Sequence, residues 1–347
     1  MAGKHKKNNV AVDITRAYLN GGFDDERIDA TKERFSDRSK HFQHHKTIKT
    51  QQARDETVTD NLPIGQVLQV HSLFCEVLCE GVVWRCTQRK TSARIADTQI
   101  VVGDYVRFTP APELNDVKQN EGSVARIEPR RTVLTRADSF KAIEIHPIVA
   151  NAQQMLIVAA LHLPEVRWGL VDRMVIAARS GGLEPIVCLN KIDTAANAQD
   201  IADADAVLAH YESLGVSTHK TCAINLMGIE ALRVMLKDKT TVLAGHSGVG
   251  KSSLVRVVEP TLANIRIGAI SNFHSKGTHT TTSARTYDLS FGGHVIDTPG
   301  VKLFGLWDVT PEKLLEFFPD IEASTAPQWR VVSYERILQS LRESTAK

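Results

Sequence analysis

The apolar residues of this chain follow two different periods, one before and one after residue 146. The character of the chain changes at about Leu62, after which the stretch GQVLQVHSLFCEVLCEGVVWRCTQRK (65–90) alternates apolar and polar residues. Turn residues divide it from VVGDYVRFTP and GSVARIEPR. Such alternation is typical of half-buried strands. Short strands within residues 61–137 predict a small antiparallel barrel, for which an OB-type fold is the best match. These barrels often bind nucleic acid, although a fold alone does not establish a function.

Past His146 the pattern becomes that of an α/β domain. MLIVAAL at 155–161 and EPIVCLN at 184–190 are apolar runs, as strands buried on both faces require. Between them, VRWGLVDRMVIAARSGG has helical spacing and ends in glycines. Further alternation predicts a doubly wound, mostly parallel sheet over residues 145–320, followed by a short helical segment at 321–347. The ligand of such a sheet belongs at the carboxyl ends of its strands.

The first 60 residues carry few large apolar side chains. A stretch of this kind cannot bury enough surface to offset its ordering entropy, so we expect residues 1–60 to be a polar, partly helical or disordered extension. The alternative is a basic arm that contacts RNA through its lysines, namely Lys4, Lys6, Lys7, Lys46 and Lys49. No matching ligand set accompanies His41, His44 and His45, which are therefore expected to be surface residues.

Composition narrows the class of protein without naming a function. The chain has 347 residues, enough for two or three domains, and its net charge of +2 permits an RNA partner without arguing for one. Its five cysteines lack the spacing of a disulfide framework, and the three in the barrel segment match no zinc pattern and are expected to be buried. Since no apolar run approaches the roughly 18 residues of a membrane span, we expect a cytoplasmic protein.

One segment fits the phosphate-binding pattern GxxxxGK[ST] in full and lies between the apolar strand TVLA and a predicted helix. Its members, with the next serine, are Gly245, His246, Ser247, Gly248, Val249, Gly250, Lys251, Ser252 and Ser253. The glycines allow backbone N–H groups to surround phosphates, and the helix N-terminus adds its positive dipole end. We expect Lys251 to reach the β- and γ-phosphates and the Ser252 hydroxyl to bind Mg²⁺.

The base is indicated by Asn190-Lys191-Ile192-Asp193, which stands at the end of the strand PIVCL. The Asp193 carboxylate can accept hydrogen bonds from both N1–H and N2–H₂ of guanine, a pairing that adenine cannot offer. Four residues recur by chance, but beside a phosphate loop on one sheet they predict guanine specificity. An ATP-using enzyme is correspondingly disfavoured.

A third motif, Asp297-Thr298-Pro299-Gly300, follows the apolar segment HVI. We expect Asp297 to hold Mg²⁺ through water and Gly300 to offer its N–H to the γ-phosphate at the start of a switch segment. Upstream, one residue of the run 280–282 is expected to bind Mg²⁺ when GTP is bound, and Thr281 is the candidate. The alternative is a Thr-rich loop that simply enters a strand.

The residue after Gly300 is Val301, where many GTPases place a glutamine that positions water. We therefore expect slow hydrolysis by the chain alone, with a partner or another residue completing the catalytic site. His279, beside the threonines, is the candidate for that role, and an exposed or structural histidine is the alternative.

The order of these motifs is that of a circularly permuted GTPase. NKID at 190 precedes the phosphate loop at 245, whereas ordinary GTPases have the reverse order. A sheet whose natural ends lie close together tolerates such a relocation of its termini. The sequence therefore predicts a circularly permuted α/β P-loop GTPase domain preceded by a small OB-type β-barrel.

In this order the motifs NKID, GHSGVGKSSL, GTHTTT and DTPGVKLFGLW resemble those of the bacterial small-subunit-dependent GTPases known as RsgA or YjeQ. The barrel segment, with VVGDYV and EPRRTVLTR, is similar to the OB domain of that family. The resemblance implies a GTPase that binds the small ribosomal subunit through rRNA late in maturation and is stimulated by it. It also implies that Asn190, Lys191 and Asp193 read guanine, while Cys222 and Ala223 fill the family's Ser-Ala turn, where the contact is mainly by backbone. We expect the chain to be a monomer.

Two features depart from the family pattern. The family ends in a zinc-binding domain with three cysteines and a histidine, but here no cysteine follows Cys222 and FFPDIEAS passes directly to APQWRVVSYERILQSLRE. We therefore expect no structural zinc, and a terminal helix joined across a deletion. The second departure is the N-terminal extension, for which a replacement ribosome contact is a hypothesis. A nucleotide-regulated RNA-binding protein with little turnover is the alternative interpretation of the whole chain.

Overall fold

A computed structural model describes residues 61–88, 99–112, 120–136, 146–262, 284–298, 306 and 309–345. The predicted polar extension at 1–60 lies outside these residues, and so do His279, Thr280 to Thr282, Gly300 and Val301. In the part of the chain that is described, no helix combines the length and the apolar character that a membrane crossing requires.

The first described body is a closed barrel of five strands. They are β1 (Ile64–Val70), β2 (Phe74–Cys79), β3 (Val82–Gln88), β4 (Tyr105–Pro110) and β5 (Glu121–Ile127). The pairing runs β1–β2–β3–β5–β4 and returns to β1, with β3 and β5 parallel and the other pairs antiparallel. Alternate residues fill the interior, including the three cysteines of this segment. The OB-type barrel predicted from the alternation is confirmed.

The barrel is joined to the following domain by a tightly packed turn. Gly103 has a φ of +87°, and a Cβ at this position would lie 2.0 Å from the Ala150 carbonyl oxygen, so no other residue fits. The next residue, Asp104, is fully buried and accepts a hydrogen bond from Arg130 Nε at 2.7 Å. Ala150 belongs to a two-stranded ribbon of β6 (Val133–Arg136) and β7 (His146–Ala150) that leads into the second domain.

The second domain is built on six strands of a mostly parallel sheet. They are β8 (Gln154–Ala160), β9 (Glu184–Asn190), β10 (Ser217–Lys220), β11 (Thr240–Ala244), β12 (Arg285–Asp288) and β13 (His294–Asp297). Their order across the sheet is β10–β9–β8–β11–β13–β12, and only β12 pairs antiparallel to its neighbour. The strand carrying NKID thus lies two places from the strand that leads into the phosphate loop.

Helices cover both faces of this sheet. They are α1 (Trp168–Ser180), α2 (Ala198–Ser213), α3 (Ile229–Leu236), α4 (Lys251–Val258), α5 (Pro319–Glu322) and α6 (Gln328–Thr345). Two apolar cores form, one on each face, because the central strands are apolar on both sides. Local signals set the helix ends: the Asn197 side chain accepts from the Asp200 N–H to cap α2, and Gly181 follows α1.

The barrel and the second domain share one continuous sheet. Gln69 of β1 is opposite Arg285 of β12, and Arg285 is in turn opposite Asp297 of β13. Val70, at the end of β1, packs against the cores of both domains. The strand that lies between the Thr-rich segment and the DTPG motif is therefore attached directly to the barrel.

The C-terminal helix α6 packs along α1. A small apolar cluster joins them, with Ile176 from α1, Ile337 from α6, and Leu314 and Phe318 from the segment between. Beside this cluster the Arg330 guanidinium, which is 3% exposed, donates from Nε to Asp320 Oδ2 at 3.0 Å and from Nη1 to Asp172 Oδ1. The terminal helix is thus an integral part of the second domain.

Candidate nucleotide site

The three sequence motifs meet at one edge of the parallel sheet. Asn190 is the last residue of β9, the phosphate loop follows Ala244 at the end of β11, and Asp297 ends β13. Strand pairing puts Asp297 opposite Leu243 of β11 and Ala160 of β8 opposite Asn190. Because parallel strands share one carboxyl edge, motifs that are far apart in sequence become neighbours.

The phosphate loop depends on glycines that no other residue can replace. Gly245, Gly248 and Gly250 have φ values of +139°, +86° and +95°. A Cβ at Gly245 would lie 2.2 Å from the Val158 carbonyl oxygen, and one at Gly250 would lie 2.4 Å from Asn190 Nδ2. His246, Ser247 and Gly248 are exposed at the loop, whereas Val249 is buried beneath it. The loop therefore presents backbone outward over an apolar support.

Lys251 begins helix α4 and turns its amine back into the loop. Its Nζ donates to the Gly245 carbonyl at 2.7 Å and to the His246 carbonyl at 3.0 Å. Burial lowers the pKa of Lys251, and the nearby Asp297 carboxylate partly offsets that effect. Carbonyl dipoles and the Asp297 carboxylate thus both compensate the cation, and an anionic phosphate can supplement them.

A buried amide ties the NKID motif to the phosphate loop. Asn190 Nδ2 donates to the Val249 carbonyl at 2.9 Å, and Asn190 Oδ1 accepts from Thr221 Oγ1 at 3.1 Å. Asn190 and Thr221 are at most 1% exposed. Both polar ends of the amide are satisfied, so the NKID turn and the phosphate loop are held at a fixed separation.

The rest of NKID forms a short turn beyond the strand. Lys191 has left-handed backbone angles, φ 59° and ψ 40°, and its Nζ donates to the Leu163 carbonyl. Asp193 lies on the one-turn 3-10 helix Ile192–Thr194, and its side chain is exposed. Its Oδ1 accepts from the Cys222 thiol at a Sγ–Oδ1 distance of 3.0 Å. Cys222 is fully buried, and Ala223 beside it is half-buried.

On the phosphate side, Ser252 and Asp297 are the candidates for holding Mg²⁺. Ser252 is in the first turn of α4, and Asp297 is 5% exposed at the end of β13 with the Lys251 amine nearby. A hydroxyl and a carboxylate are oxygen ligands, which suit this hard cation. Ser253 is exposed on α4. Three further predicted members, His279, Thr281 and Gly300, lie outside the described residues.

The structure adds contacts that the sequence motifs did not reveal. Thr221 orients Asn190, and Cys188 Sγ lies 3.3 Å from the same threonine hydroxyl. His162 Nε2 lies 3.2 Å from Asp200 Oδ2, which joins the loop after β8 to the start of α2. A threonine beside the predicted Cys222-Ala223 turn was a usable signal for the first contact. His162 and Asp200 carry no motif, so the sequence offered no signal for their pairing.

Comparison with known proteins places these observations in a family. Residues 127–307 match the family described as RsgA GTPase. A protein of Vibrio vulnificus named small ribosomal subunit biogenesis GTPase RsgA 1 is 35% identical over 292 residues, which cover 77% of this chain and 80% of the relative. A Proteus mirabilis protein named small ribosomal subunit biogenesis GTPase RsgA is 33% identical over 282 residues, with 79% and 78% covered.

Solved structures agree with the sequence relatives. The crystal structure of YjeQ from Thermotoga maritima superimposes with a TM-score of 0.62 at 26% identity, covering 80% of this chain and 98% of that one. The structure of YloQ, described as a circularly permuted GTPase, gives a TM-score of 0.59 at 22% identity, covering 82% and 96%, and shows the fold alone. The predicted fold class and enzyme class are therefore confirmed. By sequence and by fold, this chain belongs to the RsgA GTPase family.

Proposed function

We propose that this chain is a GTP-driven switch that binds the small ribosomal subunit through its rRNA and acts late in subunit maturation. The observation that carries the proposal is the Asn190 amide, which holds the guanine-recognition turn at the phosphate loop through its bond to the Val249 carbonyl. Relatives about one-third identical over most of the chain are named for biogenesis of the small subunit. The site supports GTP chemistry, and the relatives support the partner.

The proposed roles follow from the chemistry of each side chain. The Asp193 carboxylate accepts from guanine N1–H and N2–H₂, while Asn190 and Lys191 hold the turn that carries it. The Lys251 ammonium compensates negative charge on the β- and γ-phosphates. Ser252 and Asp297, with Thr281, hold the Mg²⁺ ion that neutralises charge on the phosphates when it is bound. Cys222 and Ala223 border the base, and Gly300 contacts the γ-phosphate.

Hydrolysis by the chain alone is proposed to be slow. Val301 stands where many GTPases have a glutamine that positions the attacking water. His279 is the proposed replacement, and docking on the ribosome is proposed to bring it into position. Stimulation by the partner would then couple hydrolysis to a completed maturation step.

The barrel is the proposed rRNA-binding element, and its sheet pairing supports transmission of the nucleotide state. Arg285, opposite both Gln69 and Asp297, connects the barrel to the strand that ends in the Mg²⁺ carboxylate. Among the described residues no group of three or more His, Cys, Asp or Glu side chains is arranged to hold a metal ion. We propose that the chain acts in the cytoplasm as a monomer without structural zinc, and that residues 1–60 supply a substitute ribosome contact.

The deciding experiment measures GTP hydrolysis by the purified full chain alone, with small ribosomal subunits and with large subunits, using Lys251→Ala as the blank. We expect strong stimulation by small subunits only, and none in the blank. Slow turnover without stimulation would contradict the ribosome switch and favour another RNA partner or a binding protein with little turnover.

A second experiment addresses the N-terminal extension. Deleting residues 1–60 is expected to weaken affinity for the small subunit and to reduce the dependence of that affinity on salt, because lysine–phosphate contacts release counterions. Unchanged affinity and unchanged salt dependence would show that the extension makes no such contact. Hydrolysis without subunits is the control, since none of the nucleotide motifs lies within the deleted residues.

A further inference from the structure

Three consecutive residues of the loop after β8 each bond to the segment 190–200. These bonds join the Leu161 N–H to the Asn190 carbonyl at 3.0 Å, His162 Nε2 to Asp200 Oδ2 at 3.2 Å, and the Leu163 carbonyl to Lys191 Nζ. The next residue, Pro164, lies beside the phosphate loop, since a Cβ at Gly248 would be 3.5 Å from Pro164 Cδ. Residues 161–164, here called the β8 loop, therefore contact both the NKID segment and the phosphate loop.

His162 makes its contact through a side chain, whereas the contacts on either side of it use the backbone of the β8 loop, which nearly any residue could supply. Because a carboxylate oxygen can only accept, His162 Nε2 is the donor to Asp200. Hydrogen bonds from the Ala196 N–H and from His162 lower the pKa of the Asp200 carboxyl, which keeps it ionised at neutral pH. The other ring nitrogen, Nδ1, lies 3.6 Å from Glu165 Oε1.

Asp200 in turn fixes the link between the NKID turn and helix α2. Its Oδ2 accepts from the Ala196 N–H at 2.8 Å, and its own N–H donates to Asn197 Oδ1 at 3.0 Å. Ala196 is three residues after Asp193, the residue proposed to read guanine. The side chains of His162 and Asp200 are 29% and 24% exposed, so water screens their interaction only in part. The position of the histidine ring is therefore coupled to the turn that carries Asp193.

We propose that His162 is a positioning residue for nucleotide binding, which holds the β8 loop on the start of α2 and so keeps the NKID turn and the phosphate loop ordered before a nucleotide binds. The inference rests on the proposed guanine-nucleotide site and does not depend on the ribosome. The Asn190 amide provides another link between the same two elements, through its bond to the Val249 carbonyl. Without His162, part of the ordering is delayed until binding, and its entropic cost lowers the affinity for GDP. Differences of this kind arise mainly in the rate of release.

A contact that serves only the stability of the fold would behave differently, because it is equally formed with and without nucleotide. Its loss lowers the free energy of unfolding but does not change the affinity for GDP, since the free and the bound protein lose the same amount. A positioning contact changes the release of GDP even while the folded protein remains the dominant species. The rate of GDP release is therefore the measurement that separates the two roles.

The test compares His162→Ala, His162→Leu and His162→Gln with the unaltered full chain. Release is measured by loading the protein with a fluorescent GDP analogue and adding an excess of unlabelled GDP. Leucine retains bulk without a donor, whereas the side-chain amide of glutamine can still donate to Asp200. We expect the rate of release to rise about 3- to 10-fold in the alanine and leucine variants, as for the loss of one hydrogen bond. In the glutamine variant it should stay within about twofold.

Two control variants remove comparable contacts that the proposal does not use. His294→Ala breaks a second histidine–carboxylate pair, in which Nδ1 lies 2.8 Å from Asp288 Oδ1, at the start of β13 and away from the nucleotide site. Asn197→Ala removes the bond to the Asp200 N–H but leaves the carboxylate paired with His162. Both should release GDP at the rate of the unaltered chain. Thermal unfolding identifies any variant that fails to fold, and the leucine and glutamine variants then decide the matter without alanine.

A double-mutant cycle tests whether the effect passes through Asp200. In an Asp200→Ala background, His162→Ala should no longer speed the release of GDP, since the ring has lost its acceptor. Glu165→Ala removes the more distant carboxylate, which is 81% exposed, and should change the rate of release by less than about twofold.

Three results would overturn the proposal. The first is release at the original rate in the alanine and leucine variants, and the second is a glutamine variant that releases GDP as fast as they do. The third is an effect of His162→Ala that persists without Asp200 or that Asn197→Ala reproduces in full. A starting chain that binds ADP as tightly as GDP would instead contradict the guanine site itself, whatever the variants of His162 show.

Discussion

Two polar clusters of the second domain are built from the same kinds of side chain, yet they compensate their charges differently. One is the nucleotide edge, with Lys251, Asp193 and Asp297. The other, here called the C-terminal cluster, joins α1, α2, α5 and α6 through five residues: Asp172, His210, Tyr211, Asp320 and Arg330. The contrast shows how a buried charge that serves the fold differs from one that is available to a ligand.

The C-terminal cluster pairs its charges internally, although Asp172 Oδ2 is buried without a hydrogen-bond partner among the described residues. Tyr211 Oη donates to Asp172 Oδ1 at 2.6 Å, and His210 Nε2 lies 2.9 Å from Asp320 Oδ2. Arg330 bonds both carboxylates, and its guanidinium carbon lies 4.2 Å from the centre of the Phe318 ring. Arg330, Asp172 and Asp320 are at most 3% exposed, so each depends on the others.

The nucleotide edge holds Lys251 and Asp193 through neutral groups, and the Asp297 carboxylate also lies near the lysine. Lys251 is held by backbone carbonyls, and Asp193 is exposed with a thiol as a weak donor. The carbonyls and the thiol orient Lys251 and Asp193 without neutralising them, whereas Asp297 offsets part of the lysine's charge. We infer that substitutions in the C-terminal cluster should change stability and spare chemistry, while those at the nucleotide edge should do the opposite.

The largest effect is expected at Arg330. Arg330→Met leaves two buried carboxylates without their cation, so the free energy of unfolding should fall by about 3–5 kcal/mol. Urea unfolding measures this change. Arg336→Met, at an exposed position of the same helix, is the matched control and should cost little. If hydrolysis per folded molecule collapsed together with stability, the separation of the two clusters would be wrong.

Lys251→Ala should produce the opposite result. Removing the cation that is proposed to meet the phosphates should lower GTP turnover by about 100- to 1000-fold, by analogy with the loss of a preorganised donor. The midpoint of thermal unfolding should barely change or should rise, because burial disfavours the charged amine. Lys237→Ala, at an exposed lysine after α3, serves as the control. A Lys251 variant that hydrolyses GTP at the original rate would remove the role assigned to this residue.

The difference between the clusters also explains what the sequence could predict. The residues proposed to bind phosphate or guanine occur in short local patterns, so Gly245 to Ser252 and Asn190 to Asp193 could be proposed from the chain alone. Two hydrophobic periods were enough to predict the barrel and the parallel sheet. The backbone of the phosphate loop requires such a pattern. Gly250, for example, has a positive φ, and a Cβ at this position would clash with Asn190 Nδ2.

The remaining features arise from tertiary pairing that leaves no local pattern. Arg330 looks like any arginine of an amphipathic helix, and its partner Asp172 is 158 residues away. The pairing of Gln69 with Arg285 joins two domains, but the pattern of apolar and polar residues in each domain does not identify a partner strand in the other. The sequence assigned Cys222 a backbone contact, whereas the structure adds a thiol bond to Asp193.

Asn190→Ala should lower both the stability of the protein and its affinity for the nucleotide, because this amide is buried and also holds the nucleotide edge together. Its loss leaves the Val249 carbonyl and the Thr221 hydroxyl without their partner, so stability should fall by about 1–3 kcal/mol. The affinity for GDP should fall as well, since the turn and the phosphate loop separate. Asn197→Ala is the matched control: it removes the cap of α2, costs about 1 kcal/mol and should leave affinity unchanged. Equal effects of both variants on GDP binding would contradict the link.

The smallest effect concerns the pH dependence of the C-terminal cluster. Burial alone would raise the pKa of Asp320, but hydrogen bonds from Arg330 and His210 outweigh it and lower the pKa below 3.8. A carboxyl whose pKa is lowered by folding contributes stability that is complete above its unfolded pKa and is lost as the pH falls through its folded value. The free energy of unfolding should therefore decline below about pH 4.5. In Asp320→Asn this part of the decline should be missing, because the amide does not titrate. An identical slope in both proteins between pH 5 and pH 3 would show that the acid sensitivity arises elsewhere, and that Asp320 serves the cluster by its shape and not by its charge.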